Sequence, residues 1–353
     1  MDSAKTKQTT VTRETKNKIY VDYEGKLSFK ERFLRKLKTS NTWIRVLVNI
    51  FRFILMLGVS YVILYPFFSR IAGSFMTKED VVDATVSLIP KHFTLEIYKY
   101  IAIENHYFEA LLNTTLLSLL CAFIQTFIAC LIGYGLAKFK FKGNKILMGA
   151  VILTMVIPHR TLKLALLQHF TTFDLAKVLA WDFYKGPIEL ITGEPLNLAN
   201  TFWPLILLSV FGLAFKNGLY IYLMRQFFKG VPDELEESAY VDGSGTLRTF
   251  FQIILPLSVP MMITIFLFSF SWQWTDEFYT TLFFTSSVNK TYLMPDVYTQ
   301  IPPSLETTYA GRVLYYNVIQ NTAGIMIIAP LVILYLFCQR YLVQGIERSG
   351  LVG

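Results

Sequence analysis

The sequence predicts an all-α membrane protein with six spanning helices, and three observations carry that expectation. Hydrophobic residues make up 53% of the chain and charged residues only 16%, with a mean hydropathy of +0.43. A soluble domain of 353 residues does not keep that balance. Apolar stretches at roughly 46–68, 111–136, 146–169, 202–228, 256–284 and 317–340 are each long enough to cross a hydrocarbon core of about 30 Å. Alternating them puts most of the 33 Lys and Arg residues on one side, which the positive-inside rule makes the cytosol. Both termini are then expected inside and residues 171–200 outside.

Taken in order, residues 1–27 are polar and rich in Thr and Lys, and are expected to be a cytosolic tail without a packed core. Ser28-Phe-Lys-Glu31 is a capping box. Phe29, Phe33, Leu34 and Leu37 share one side of the helix it opens, and Lys30, Arg32, Arg35, Lys36 and Lys38 fill the others. Such a basic amphipathic helix is expected along the inner membrane surface, with binding of a partner as the alternative. The domain reading is therefore a tail and surface helix over 1–45, a six-span domain over 46–340 and a cytosolic tail over 341–353. The net charge of +8 gathers near the first span, which points to lipid headgroups and away from nucleic acid. Cys121, Cys130 and Cys338 lie in apolar stretches with neither disulfide nor metal spacing. No internal repeat is visible.

The most informative loop is 229–255. Pro232 suits a first helical turn, where its missing N–H costs nothing. Asp233, Glu234, Glu236 and Glu237 put negative charge at the positive end of the helix dipole. Ala239 keeps one face thin, and Gly243 can take the left-handed conformation that ends a helix. A second amphipathic run (Leu247, Phe250, Phe251, Ile254) leads to Pro256 and the next span. On residue chemistry alone this is a capped helix lying on the membrane surface.

The spacing says more. Glu237-x-Ala239, three residues, Gly243, nine residues, Ile253-x-Leu255-Pro256 resembles the cytoplasmic coupling loop of binding-protein-dependent ABC importers, with Ser238 where that family has Ala. The flanks Arg225-Gln-Phe-Phe, Val231-Pro-Asp-Glu-Leu-Glu-Glu and Asp242-Gly resemble its carbohydrate-importer branch, and Gln339-Arg-Tyr-Leu-Val-Gln-Gly345 resembles the MalG-type subunit. The resemblance covers spans two to six. It implies a type I ABC importer permease fold in a bacterial cytoplasmic membrane, forming half a channel beside a second permease subunit, either a different chain or a second copy of this one. Two ATPase subunits would carry the ATP and Mg, and an extracytoplasmic solute-binding protein would deliver an oligosaccharide. This chain would hold no cofactor and hydrolyse nothing. Glu237, Ser238, Ala239, Asp242, Gly243, Ile253, Leu255 and Pro256 would be its contacts with the ATPase. The segment 171–200 is longer than the family leads one to expect, and reads either as added surface for the binding protein or as an inert insertion.

Span three is chemically odd, since Val156-Ile-Pro158-His-Arg-Thr-Leu-Lys163 puts cations at membrane depth. On a continuing helix His159, Arg160 and Lys163 share one side and face the substrate path with Lys216 of span four. If Pro158 breaks the helix, Lys163 reaches outward and Arg160 caps carbonyls or pairs with the second permease. Asp276 and Glu277 are expected too far out to pair with these cations, which would leave them for an acidic sugar. Trp272 and Trp274, with Phe278 and Tyr279, either stack on a pyranose or form an interfacial aromatic belt.

Other classes fit less well. There is no Gly-x4-Gly-Lys-Ser/Thr phosphate cradle and no recognisable nucleophile motif, and His159 and His169 are ten apart, not four. The alternative is a secondary, ATP-independent sugar transporter, which would be expected to show repeated halves with broken helices.

Overall fold

The computed structural model describes residues 12–14, 20–22, 40–174, 194–285, 290–308 and 311–350. The chain divides into two units, residues 1–69 and 70–353. The first contains a two-stranded antiparallel ribbon, β1 (Thr12–Glu14) with β2 (Tyr20–Asp22), where Arg13 pairs with Val21. The tail expected to lack structure thus contains a short paired segment. The basic amphipathic helix expected at 28–38 lies outside the described residues. Helix α1 (Ser40–Gly73) carries the first span, and its apolar side chains from Ile44 to Phe68 are exposed, as suits contact with lipid.

In the second unit, α2 (Lys78–Val82) and α3 (Glu96–Glu104) precede α4 (Tyr107–Lys138). Then come α5 (Asn144–Val156), a 3-10 turn (His159–Leu162) and α6 (Lys163–Thr171). Helices α7 (Trp203–Val210) and α8 (Asn217–Lys229) follow. Short helices α9 (Glu234–Val241) and α10 (Thr246–Thr249) lead through a π turn (Phe250–Ile254) into α11 (Leu255–Trp274). Last are α12 (Phe278–Phe283), α13 (Met294–Thr299) and α14 (Arg312–Gly350).

Among the described residues four helices are long and apolar enough to cross a membrane: Ile44–Gly73, Tyr107–Lys138, Thr246–Trp274 and Arg312–Leu342. The third expected span is a bent pair, α5 and α6 meeting at 91°. Pro158 explains the break, because it forces the preceding residue out of the helical region, and Ile157 is extended at φ −66°, ψ 120°. The fourth expected span is also interrupted. Gly212 (φ 71°) and Lys216 (φ 66°) are left-handed, and the N–H groups of Leu213 and Ala214 both donate to the Leu208 carbonyl. The fifth begins earlier than expected, at Thr246. Pro256 has no N–H to offer a fourth-preceding carbonyl, and the ladder passes it through the π turn, in which Leu255 N–H donates to Phe250 O.

Helix α4 is the post of this unit, packed against α7, α8 and α11, while α14 packs on α11 and α13. Apolar side chains gain little by leaving lipid for protein, so close approach must come from small residues and buried polar bonds. Both are present. A Cβ at Gly133 would lie 2.6 Å from Met224 Cβ and 3.0 Å from Arg225 N on α8, and one at Gly218 would meet Thr154 and Val151 O of α5. Fully buried Tyr220, Phe228, Met224 and Ile254 fill the space beside that crossing. Gly135, two residues on, faces open space.

These two glycines should therefore behave differently. Gly133→Val should lower the yield and thermal stability of the folded protein, since overpacking typically costs about 1–3 kcal/mol, while Gly135→Ala should match wild type in detergent melting. Equal melting of the two variants would contradict the packing described for α4 and α8.

Candidate functional site

Two places collect the polar side chains that the sequence singles out. The first is α9. It rests on its Glu236 and Ala239 side, which is buried, while Glu237, Ser238 and Asp242 face outward. Two apolar side chains are also presented, Val241 at 87% and Leu247 at 74% exposure. Lys138, in the last turn of α4, fixes the start of the helix. Its Nζ donates to Val231 O at 2.6 Å and to Asp233 Oδ1 at 2.5 Å, with 6% of the side chain exposed. The ammonium holds the Asp233 carboxyl below the usual carboxylate range, whereas burial pushes Glu236 up. The far end is a Schellman cap: Ser244 N–H donates to Ala239 O and Gly243 N–H to Tyr240 O, with Gly243 at φ 79°. Ile253 and Leu255 are half-buried at the π turn and Pro256 is exposed, so this trio shapes the junction with α11.

The second place is where the two interrupted spans meet. The left-handed turn before α8 and the break after α5 enclose a cleft of about 120 Å³, lined by Thr154, His159, Phe215, Lys216, Asn217 and Gly218 among others. His159 packs edge-on against Phe215 at 4.9 Å and Tyr279 at 6.3 Å. The Lys216 ammonium lies 4.9 Å from the Phe215 ring centroid and 5.2 Å from that of Trp272. A neighbouring pocket is lined by Gln125, Phe215, Ser269, Trp272, Gln273, Asp276 and Tyr279. Gln125 is buried and bridges elements: its Nε2 donates to Ser209 Oγ at 3.1 Å and its Oε1 accepts from Ser269 Oγ at 2.7 Å.

The structure sorts the cations differently from a continuing helix. His159 turns inward, while Arg160 and Lys163 are exposed and line neither the cleft nor the neighbouring pocket. Asp276, expected away from the cations, shares a pocket wall with Phe215 and Trp272, with its Oδ2 taken by Tyr279 N–H at 3.0 Å. Trp272 is 47% exposed beside Lys216, but Trp274 is packed in the core with Nε1 donating to Ile327 O at 3.0 Å. Residues 175–193, which make up most of the long third loop, lie outside the described residues; Phe173 and Leu196 bridge its base.

The model of the binding-protein-dependent transport system inner membrane component family matches residues 125–348. The chain belongs to this family. Among its relatives, the polygalacturonan/rhamnogalacturonan transport system permease protein YtcP of Bacillus subtilis is 30% identical over 239 residues, covering 67% of this chain and 72% of the relative. Protein LplC of the same organism is 27% identical, covering 84% of this chain and 92% of the relative. The galactooligosaccharides transport system permease protein GanQ, also from Bacillus subtilis, is 28% identical, with coverage of 86% and 95%. In fold, the chain is similar to a solved bacterial ABC transporter involved in the import of the acidic polysaccharide alginate. The TM-score is 0.60 at 20% identity, over 86% of this chain and 98% of the other. This is a carbohydrate ABC-importer permease of all-α, type I fold and a multi-pass membrane component.

Sequence reasoning about the permease overlooked Gln125, Asn217 and Lys138, and set Asp276 apart from the path whose neighbouring pocket it lines. Gln125 had a signal, an amide inside an apolar run, which in lipid must find a partner. Lys138 had none, because its partners lie more than ninety residues away.

The Lys138 contact makes a measurable statement. Lys138→Met should raise hydrogen exchange of the α9 amides at neutral pH, after correction for intrinsic rates. Asp233 has a depressed carboxyl, so its contribution is complete above the unfolded aspartate value and is lost as pH falls through the folded one. Wild type should approach the variant only in that acidic window. Equal protection of α9 in both proteins at neutral pH would refute the role of Lys138.

Proposed function

We propose that this permease forms half the translocation path of an ATP-driven, binding-protein-dependent importer of acidic oligosaccharides. A different permease chain completes the path. Two ATPase subunits bind below, and an extracytoplasmic binding protein delivers substrate above. The observation that carries the coupling is the two-sided character of α9. One side is pinned to α4 by Lys138 and buried by Glu236 and Ala239, and the other offers Glu237, Ser238 and the apolar Val241. A helix anchored on one face and bare on the other can carry movement of a docked ATPase into the span it is tied to. Gly243 stops the helix where the chain must turn back toward α10.

The acidic class of substrate is supported by charge. Arg160, Lys163 and Lys216 make no ion pair among the described residues. Cations at membrane depth need compensation, and a uronate carboxylate crossing the path supplies it in passing. The planar guanidinium of Arg160 suits two carboxylate oxygens at once. The names of two similar proteins, one for polygalacturonan and one for alginate, agree with this reading.

Two experiments test the two halves. Glu237→Lys reverses the charge on the bare face of α9, and Gly243→Val forces a branched side chain into a left-handed turn at a cost of about 1–2 kcal/mol. Both should insert normally yet lose uptake. Normal uptake by both would remove the assignment of this loop. For the substrate, wild type should take up oligogalacturonate in preference to its carboxyl-reduced counterpart, and Arg160→Gln and Lys163→Met should each weaken that preference. A wild type indifferent to the carboxylates would overturn the acidic reading.

A further inference from the structure

The turn that interrupts the fourth span leaves the first turn of α8 facing the cleft described above, and that turn is short of partners. Asn217 N–H donates to Ala214 O, but the N–H groups of Gly218 and Leu219 make no hydrogen bond among the described residues, and no side chain caps the helix. Both residues line the cleft. Unpaired N–H groups and the helix dipole together favour an anion at this position.

A second observation is independent of the helix end. Asn217 lines the same cleft with 0% of its surface exposed, and neither its Nδ2 nor its Oδ1 has a partner. A buried amide left unbonded is costly, so its presence calls for a group that arrives later. The cation at the rim is in a similar position. Lys216 makes no ion pair among the described residues and rests on the Phe215 and Trp272 rings, a contact weaker than a charge-assisted hydrogen bond. The cleft is about 120 Å³, which admits a carboxylate with its neighbouring hydroxyl but not a whole sugar chain.

We infer that this cleft is a carboxylate-binding site, in which one uronate carboxylate of the passing oligosaccharide accepts from the α8 N-terminus, the Asn217 amide and Lys216. Lys216 leaves the indole face when the anion enters, and Trp272 is then free to lie against the sugar ring. Asn217 Oδ1 accepts from an adjacent hydroxyl. The inference rests on the acidic-substrate reading above, but it names a position that Arg160 and Lys163 do not share.

The test uses the assembled transporter in proteoliposomes of phosphatidylcholine, with binding protein loaded either with oligogalacturonate or with its carboxyl-reduced form. The quantity read is the ratio of acidic to neutral uptake. K216M and N217L should each lower that ratio by roughly tenfold, the size expected when one hydrogen bond to a charged group is lost. K216R should keep it. Asn217 is buried, so assembly of its variant is checked separately, and Lys216, half-exposed at the rim, keeps the test decisive. If wild type prefers the acidic form and K216M retains the full ratio, the site is overturned while the acidic reading stands. If wild type shows no preference, the acidic reading falls and the site loses its ligand. An effect of K216M that appears only when phosphatidylglycerol is added would give the cleft to a lipid phosphate and overturn the proposal.

Discussion

Gln125 is a single buried amide that joins three helices, and much of the bundle depends on it. Its two hydrogen bonds reach Ser209 on α7 and Ser269 on α11 from the middle of α4. In an apolar interior an amide missing either partner would cost several times what a surface hydrogen bond contributes, so the three helices are held to one register. Near the end of α4 close to α9, Gly133 performs the complementary task by letting α8 approach to backbone contact. One residue fixes position through polarity and the other through the absence of a side chain, which is how helices bind one another without a hydrophobic gain.

That rigid centre makes two interruptions tolerable. Broken spans expose backbone groups, which is permissible only where protein or a cavity receives them. Here the break at Pro158 and the left-handed turn from Gly212 to Lys216 face the same cleft, and His159, Phe215, Lys216 and Asn217 gather there. The polar centre of the permease is thus a product of two local chain faults placed side by side. At the loop that carries α9 the logic is different. Helix α9 is short and polar, and its position comes from one lysine at the end of α4 and from a glycine cap.

How much of this was legible in the sequence follows from the range of each interaction. The capped helix at 234–241 and its left-handed Gly243 are written in neighbouring residues, and the structure has them as expected, whereas of the six apolar stretches the third is a bent pair and the fourth is interrupted. Pro158 announced a break, yet local chemistry could not tell a kink from a 91° bend. The turn at Gly212–Lys216 was hidden inside a largely apolar run, because a lysine at φ 66° has no sequence signature. Trp272 and Trp274 are two residues apart and looked alike as sugar platforms. Only packing separates them: Trp274 is spent on the core while Trp272 stands beside Lys216. The spacing around Glu237 carried the family, whereas the residues lining the cleft come from segments that meet only after folding.

The central claim is that transport through this permease is driven by ATP hydrolysed on attached subunits. It is tested most directly by measuring hydrolysis and uptake together in vesicles containing this chain, its partner permease and the ATPases. The account predicts that hydrolysis rises when loaded binding protein is added and that accumulation stops when ATP is withheld. Accumulation that continues without ATP, at a rate set by an imposed ion gradient, would contradict it and make the chain a secondary transporter.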